Sequence, residues 1–232
     1  MTRFVKKLGF NSFQSFKITF AQELSTIEEK SIVHSNISCD ESIFETATHL
    51  LHSTMDVLQK TTETLDVEMM ERCKFALLNS RKIYIMGMGH SGVIAMDFHY
   101  KLIRIGLNPL LINDSHMMLR LASMMESQDV IVAISHAGET EELIHAVQLA
   151  KEQGVTLIAI TVDNENTLKE LSVLHLAYQS TEILFETGSI TSKIPQIFIL
   201  DLIYTEIIKE TYDESLSRRL KATDVIINHR KN

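Results

Sequence analysis

The amino-acid sequence predicts an α/β fold: a three-layer α/β/α sandwich around a mainly parallel, five-stranded sheet, with helical extensions at both ends. Short apolar runs rich in β-branched residues lack polar alternation, which is typical of strands buried on both faces. These runs alternate with helical patterns, as they do in parallel sheets. The chain has neither glycine nor proline between Phe10 and Ile85, which favours long helices over hairpins in its first third.

The first third is predicted to be helical because its apolar residues recur at spacings of three and four. The predicted elements are a short helix ending at Gly9, a helix over 12–30, a polar linker over 33–40, and helices over 41–60 and 66–79.

From residue 82 onward, strands and helices alternate, and the strand at 109–112 is expected at the periphery of the sheet. The predicted strands are 82–86, 109–112, 129–135, 155–161 and 174–178. The predicted helices are 91–105, 116–125, 139–153, 165–172, 191–212 and 213–228.

The composition restricts the class of protein. The 232 residues are 45% hydrophobic and 22% charged, which excludes a mostly disordered chain. Two cysteines exclude a disulfide scaffold and a cysteine-rich zinc module. The net charge of −8 disfavours nonspecific nucleic-acid binding by the whole surface. No segment has the pattern of a signal peptide or a membrane span, so we expect a cytoplasmic protein without membrane contact.

Ligands of open parallel sheets bind beyond the carboxyl ends of the strands, and three loops there carry residues suited to an anion. In the first loop, Gly89 permits close approach of the backbone, His90 follows, and Ser91 is expected to cap the next helix. A helix N-terminus beside a hydroxyl attracts anions. The same residues are equally compatible with a tight turn between strand and helix.

The second loop follows the predicted strand 129–135 and is richer in hydroxyl groups. Ser135 and Thr140 supply hydroxyls, Gly138 permits an unusual backbone angle, and His136 lies between them. The next helix points its N-terminus at this loop, which predicts a phosphate cradle without a lysine. The alternative is that the hydroxyls only cap the helix.

The third loop precedes the long helix 191–212 and contains charged residues. Thr191 or Ser192 is expected to cap this helix, and Lys193 follows in its first turn, where a cation opposes the helix dipole. That position suggests a bound anion. Glu186 is suited to a sugar hydroxyl or to proton transfer. An exposed glutamate and lysine without function are the alternative.

Histidine is abundant, but its spacing predicts no metal site. His49 and His52 share a predicted helical face, yet no third ligand is placed beside them and no HExxH motif occurs. A GxSxG nucleophile motif is also absent. We therefore expect neither a metal nor a cofactor.

These three loops, in this order and spacing, resemble the sugar isomerase (SIS) domain over about residues 40–215. The resemblance implies that a sugar phosphate binds at the strand ends. It implies ligand-binding roles for Ser91, Ser135, Gly138, Thr140 and Ser192. The other predicted ligand-site residues are Gly89, His90, His136, Glu186 and Lys193. His136 stands where the family usually has a small residue or serine, so a different choice of ligand is expected.

Residues 2–10, followed by Phe13, Phe16 and Lys17, resemble the end of the helix-turn-helix domain of RpiR-type transcriptional regulators. Those regulators join a DNA-binding domain to an SIS domain that senses a sugar phosphate. The resemblance implies a helix-turn-helix remnant and linker over 1–35 and an SIS domain over 36–232. The first helices of the DNA-binding domain are missing, so we expect this chain alone not to bind operator DNA. The candidate DNA contacts are Arg3, Lys6 and Lys7.

The resemblance therefore predicts the phosphosugar sensor of an RpiR-type regulator, assembled as a homodimer or homotetramer. The alternative is a sugar-phosphate isomerase. In that case Glu186 is the expected catalytic base for the proton next to the carbonyl, and His90 or His136 assists ring opening. The regulator-like N-terminal segment favours the sensor.

Overall fold

An all-parallel, five-stranded sheet lies at the centre of the computed structural model, which describes residues 14–16, 18–19, 37–38, 40–182 and 188–229. The strands are β1 (Ile83–Gly87), β2 (Pro109–Ile112), β3 (Val130–Ile134), β4 (Thr156–Val162) and β5 (Leu174–Tyr178). Their order across the sheet is β2-β1-β3-β4-β5. The chain therefore runs from β1 to one edge and then crosses to build the other side. The direction of winding changes between β1 and β3.

The helices form two layers, one on each face of the sheet. They are α1 (Ile43–Glu63), α2 (Val67–Leu78), α3 (Gly89–Arg104), α4 (Ser115–Ala122), α5 (Glu141–Glu152), α6 (Thr167–Leu171), α7 (Ile190–Glu210) and α8 (Tyr212–His229). Helices α2, α3 and α7 pack directly on one face, with α1 and α8 against them. Helices α4, α5 and α6 cover the other face. The predicted three-layer sandwich with a parallel sheet is confirmed.

Side-chain alternation along the strands divides the core between these two layers. In β1, Ile83 and Ile85 contact one cluster, whereas Tyr84 and Met86 contact the other. All five residues of β1 are buried, as are those of β3. Strands covered on both faces need apolar side chains at every position, which explains the continuous apolar runs in the sequence.

The elements predicted from residue 41 onward are found with small differences at their ends. The peripheral strand 109–112 is an edge strand, and Cys73 is buried in α2. The described residues 14–16 and 18–19 are helical, in agreement with the predicted helix over 12–30. The predictions that lie outside the described residues concern the short helix ending at Gly9, the rest of the helix over 12–30, most of the linker 33–40, and Arg3, Lys6, Lys7 and Glu186. Within the described residues, no helix is long and apolar enough to cross a membrane.

A buried carboxylate joins β1 to β3 at the amino ends of these strands. Asp129 is fully buried and accepts two hydrogen bonds from the Arg81 guanidinium, at 2.9 and 2.8 Å. Its Oδ2 atom also accepts the backbone N–H of Glu126 at 2.9 Å. The paired guanidinium satisfies both carboxylate oxygens, so the charge is compensated despite its burial.

We predict that Asp129→Ala lowers the free energy of unfolding by about 1–3 kcal/mol, because it removes charged hydrogen bonds and leaves the Glu126 N–H without its acceptor. Urea unfolding at pH 7 measures this change. Asp56→Ala is the matched control, since Asp56 forms an exposed pair with Lys60 one turn away on α1. An equal change in both variants would contradict the prediction.

Candidate functional site

Three loops meet at the carboxyl edge of the sheet, where the direction of winding changes. They follow β1 (residues 88–91), follow β3 (residues 135–140) and lead into α7 (residues 188–192). The first and third are in contact, because a Cβ atom at Gly188 would lie 2.6 Å from the His90 ring. The second and third are connected through Glu182, whose Oε1 lies 3.7 Å from His136 Nε2 and whose Oε2 accepts two hydrogen bonds from Ser189. A crevice at such a position is the usual ligand site of an open parallel sheet.

The helices that begin at these loops lack side-chain caps, unlike four helices elsewhere in the described chain. Helices α1, α2, α4 and α6 have a side-chain oxygen that accepts a first-turn N–H, from Ser42, Asp66, Asp114 and Asn166 respectively. The N-cap residues of α3, α5 and α7 are Met88, Thr140 and Ser189, and none of them makes such a bond in the described structure. First-turn N–H groups left without an intrahelical acceptor, together with the helix dipole, favour an anion.

The loop after β3 forms a small cradle of hydroxyl groups. Ser135 Oγ accepts the N–H of Gly138 at 3.2 Å and lies 3.0 Å from Thr140 Oγ1. Gly138 has a φ of +69°, which side-chain-bearing residues rarely adopt. The predicted residues of this loop are therefore brought together, and the Thr140 hydroxyl is directed to Ser135 instead of capping α5.

Contacts with α6 hold this loop in place. A Cβ atom at Gly138 would clash with Oδ1 of Asn166, and the Gly138 carbonyl accepts the N–H of Leu168 at 3.1 Å. The Glu139 carboxylate accepts the N–H and the hydroxyl of Thr167, both at 2.8 Å. Glycine at 138 is thus required by both its backbone angle and its packing.

The loop after β1 differs from prediction at the start of its helix. Helix α3 begins at Gly89, with Met88 as the N-cap, so the expectation that Ser91 caps this helix is wrong. Gly89 has a φ of +55°, which turns the chain into the helix two residues before the serine. Ser91 therefore lies in the first turn. Its hydroxyl forms no hydrogen bond within the described structure and is half-buried, which leaves it available to a ligand.

The start of α7 also differs from prediction, because Ser189 is the N-cap and neither Thr191 nor Ser192 is. Ser192 is buried and donates to the Ser189 carbonyl at 3.1 Å, so its hydroxyl is committed to the helix. Lys193 is half-buried and has no salt bridge with any described residue. Among the described residues, no carboxylate therefore competes with an anion for its ammonium group. Glu186, the predicted catalytic or ligand residue of this loop, lies outside the described residues.

Glu182 is a site residue that sequence reasoning missed. Its side chain is only 7% exposed, and Oε2 accepts both the N–H and the hydroxyl of Ser189 at 2.9 Å. The bond to the hydroxyl directs Ser189 away from the first turn of α7. The sequence carries no signal for this role, because Glu182 lies in a polar segment outside the motifs and Glu186 is the carboxylate the motif points to.

A buried chain of hydrogen bonds lies behind His136. The His136 Nδ1 atom is 2.8 Å from the Tyr178 hydroxyl, which accepts the Nε2–H of Gln196 at 2.6 Å. Burial strongly raises the pKa of Tyr178, so its hydroxyl stays protonated. Burial also lowers the pKa of His136, against the opposing effect of Glu182, so the imidazole is neutral at neutral pH.

Of the two histidines considered as metal ligands, His49 contacts a carboxylate on the same part of the chain. His49 Nδ1 lies 3.0 Å from the Glu41 carboxylate. Among the described residues, no group of three or more His, Cys, Asp and Glu side chains is arranged to hold a metal ion.

Comparison with known proteins identifies the family. Residues 76–206 match the family described as SIS domain. A protein of Clostridium perfringens named as an uncharacterized HTH-type transcriptional regulator is 46% identical over 228 residues, which span 98% of this chain and 82% of the relative. A regulator of the same description from Thermotoga maritima is 34% identical over 205 residues, which span 88% of this chain and 73% of the relative.

Two solved structures share the fold. The Vibrio vulnificus NanR protein complexed with ManNAc-6P has a TM-score of 0.85 at 24% identity, covering 98% of this chain and 80% of that one. The sugar isomerase domain of an RpiR transcription factor from Sphaerobacter thermophilus has a TM-score of 0.71 at 17% identity, covering 78% of this chain and 98% of that one. Together with the domain match over more than half of the sequence, the identity to the two regulators shows that this chain belongs to the SIS-domain family of HTH-type transcriptional regulators.

Proposed function

We propose that this chain is the phosphosugar-sensing part of a transcriptional regulator, with a sugar phosphate bound at the carboxyl edge of the sheet. The observation that carries the proposal is the convergence of three helix N-termini without side-chain caps around the paired hydroxyls of Ser135 and Thr140. A phosphate group accepts hydrogen bonds from all of these donors. The fold shared with NanR, whose structure contains ManNAc-6P, supports the same class of ligand.

The phosphate group contacts the two loops that follow β1 and β3. One proton of the Ser135 and Thr140 hydroxyls lies in the bond between them, and the other is donated to the phosphate. Ser91 contributes a further hydroxyl, and the first-turn N–H groups of α5 complete the cradle. Lys193 supplies a positive charge from the start of α7. The sugar extends toward His136 and the third loop, where Glu186 is placed by the motif.

Binding of the ligand changes the contacts between subunits. The protein functions in the cytoplasm. Helix α3 starts at the ligand site and exposes an apolar stripe along its length, formed by Val93, Met96, Tyr100 and Ile103. Such a stripe on a soluble regulator is covered by another subunit, as a homodimer or homotetramer. DNA binding requires an intact helix-turn-helix, to which Arg3, Lys6 and Lys7 belong.

The alternative isomerase function depends on Glu186 as the catalytic base. Because that residue lies outside the described residues, the alternative stays a prediction. Conversion between the aldose and ketose forms of any ligand that binds is the assay that decides it.

We predict that one phosphorylated sugar stabilises the protein in a thermal-shift panel of hexose, pentose and amino-sugar phosphates. A ligand at about 100 times its Kd adds about 2.7 kcal/mol to the folded state. For a chain of this size, that gain raises Tm by roughly 5–10 °C. The parent sugars and inorganic phosphate are the controls. A folded sample whose Tm does not respond to any phosphorylated sugar would overturn the proposed function.

We predict that Ser135→Ala weakens binding of that sugar phosphate by about 10- to 100-fold, because it removes a hydrogen bond to a charged group and one anchor of the Gly138 loop. Isothermal titration calorimetry measures the Kd. Thr205→Ala is the control, since the Thr205 hydroxyl donates to the Asp201 carbonyl on the exposed side of α7. Unchanged affinity in Ser135→Ala would remove this serine from the site.

A further inference from the structure

We propose that Glu182 and His136 form a donor–acceptor pair that selects the sugar part of the ligand through one of its hydroxyl groups. This inference rests on the proposed function, because it concerns the same site. It adds a specificity residue, Glu182, and a chemical requirement on the ligand: a hydroxyl that accepts one hydrogen bond and donates another.

The hydrogen-bond chain behind His136 determines which imidazole nitrogen carries the proton. Gln196 donates to the Tyr178 oxygen, so the tyrosine proton is free to be donated to His136 Nδ1. Nδ1 is then an acceptor, and the single proton of the neutral ring lies on Nε2. That assignment follows from the hydrogen-bond network.

The opposite end of the ring agrees with this assignment. Nε2 faces Oε1 of Glu182, and a carboxylate oxygen is only an acceptor. If the Gln196 amide were rotated, Tyr178 would donate to Gln196 and His136 Nδ1 would carry the proton. Nε2 would then present a lone pair to the carboxylate. The Glu182 carboxylate therefore favours the tautomer with hydrogen on Nε2, and with it the Gln196 orientation in which the amide donates to Tyr178.

The distance between Nε2 and Oε1 is suited to a bridging group. At 3.7 Å the two atoms are too far apart for a direct hydrogen bond, which requires about 3.2 Å or less. An oxygen at about 2.8 Å from each atom accepts from Nε2–H and donates to the carboxylate. A hydroxyl can do both, whereas a carbonyl only accepts and an amide N–H only donates.

The pair is rigid and lies next to the phosphate cradle. His136 directly follows Ser135 in the chain and is 27% exposed, so the ring is both near the cradle and accessible. Glu182 is fixed because Oε2 already accepts two bonds from Ser189, which leaves Oε1 for the ligand. A carboxylate and a neutral imidazole held in this way distinguish ligands by their hydroxyl groups at low cost in side-chain entropy.

The test compares inorganic phosphate with the sugar phosphate that gives the largest thermal shift in the panel, by calorimetry on the full chain. Glu182→Gln is expected to weaken the sugar phosphate by about 10- to 100-fold, because the amide no longer provides a charged acceptor. The Kd of inorganic phosphate is expected to stay within about twofold, since the phosphate cradle remains intact. Glu165→Gln is the matched control, as this carboxylate is on the surface beside Lys169.

Two further variants keep the proposal testable if Glu182→Gln lowers Tm. His136→Asn removes the donor of the pair and is expected to produce the same selective loss. Tyr178→Phe leaves the pair in place but removes the hydroxyl that fixes the tautomer. Nitrogen-15 NMR of the His136 ring should then change from the form with hydrogen on Nε2 to a mixture of both tautomers, with a smaller selective loss of affinity.

The outcomes separate this inference from the proposed function. Equal sugar phosphate affinity in the wild type and Glu182→Gln overturns the inference alone, and so does an equal loss for inorganic phosphate. A wild-type protein that binds no sugar phosphate overturns both. The pair is supported if the affinity for the sugar phosphate falls in Glu182→Gln and His136→Asn, falls less in Tyr178→Phe and is unchanged in Glu165→Gln. The affinity for inorganic phosphate stays unchanged in all four variants.

Discussion

The parallel direction of the five strands is the constraint on which the site depends. Because every strand runs the same way, all carboxyl ends lie at one edge, and the helices that follow them begin there. The winding reverses between β1 and β3, so α3 and α5 leave toward opposite faces, which is the topology at which open parallel sheets bind their ligands. An antiparallel sheet of the same residues would separate the loops and point half of the helix dipoles away.

The helix N-termini at the candidate site differ in their capping from helix N-termini elsewhere in the described structure. Where a helix start has only a structural task, as at Ser42 of α1 or Asp66 of α2, a side chain satisfies the first turn. At the candidate site, Thr140 bonds to Ser135 and Ser189 bonds to Glu182, so hydroxyls that could cap their own helices are held elsewhere. The first-turn N–H groups that remain unsatisfied slightly lower the stability of the ligand-free protein. They favour the binding of an anion at the same place.

Buried polar groups behind the site are costly where they lack a partner. Tyr178 accepts a hydrogen bond from Gln196 deep in the core, and His136 connects the tyrosine to the surface of the site. The Oε1 atom of Gln196 is buried without a hydrogen-bond partner in the described structure. A chain of this kind favours one ring orientation and one tautomer, because the tyrosine that accepts from Gln196 has His136 Nδ1 as the acceptor for its own proton. The free-energy cost of burying polar groups therefore also restricts the orientation of the His136 ring at the site.

The amino-acid sequence was sufficient to predict the fold class, the order of the elements and the three loops, since buried strands and helix faces leave local patterns. It also placed Ser135, Gly138 and Thr140 together, because they lie in one loop. The starts of α3 and α7, and the approach of Glu182 to His136, became visible in the folded structure alone. His136 and Tyr178 are 42 residues apart in sequence, and their contact depends on how β3, β5 and α7 pack. Residue spacing carries no record of such packing, because it is set by side-chain fit between elements and not by the periodicity within them.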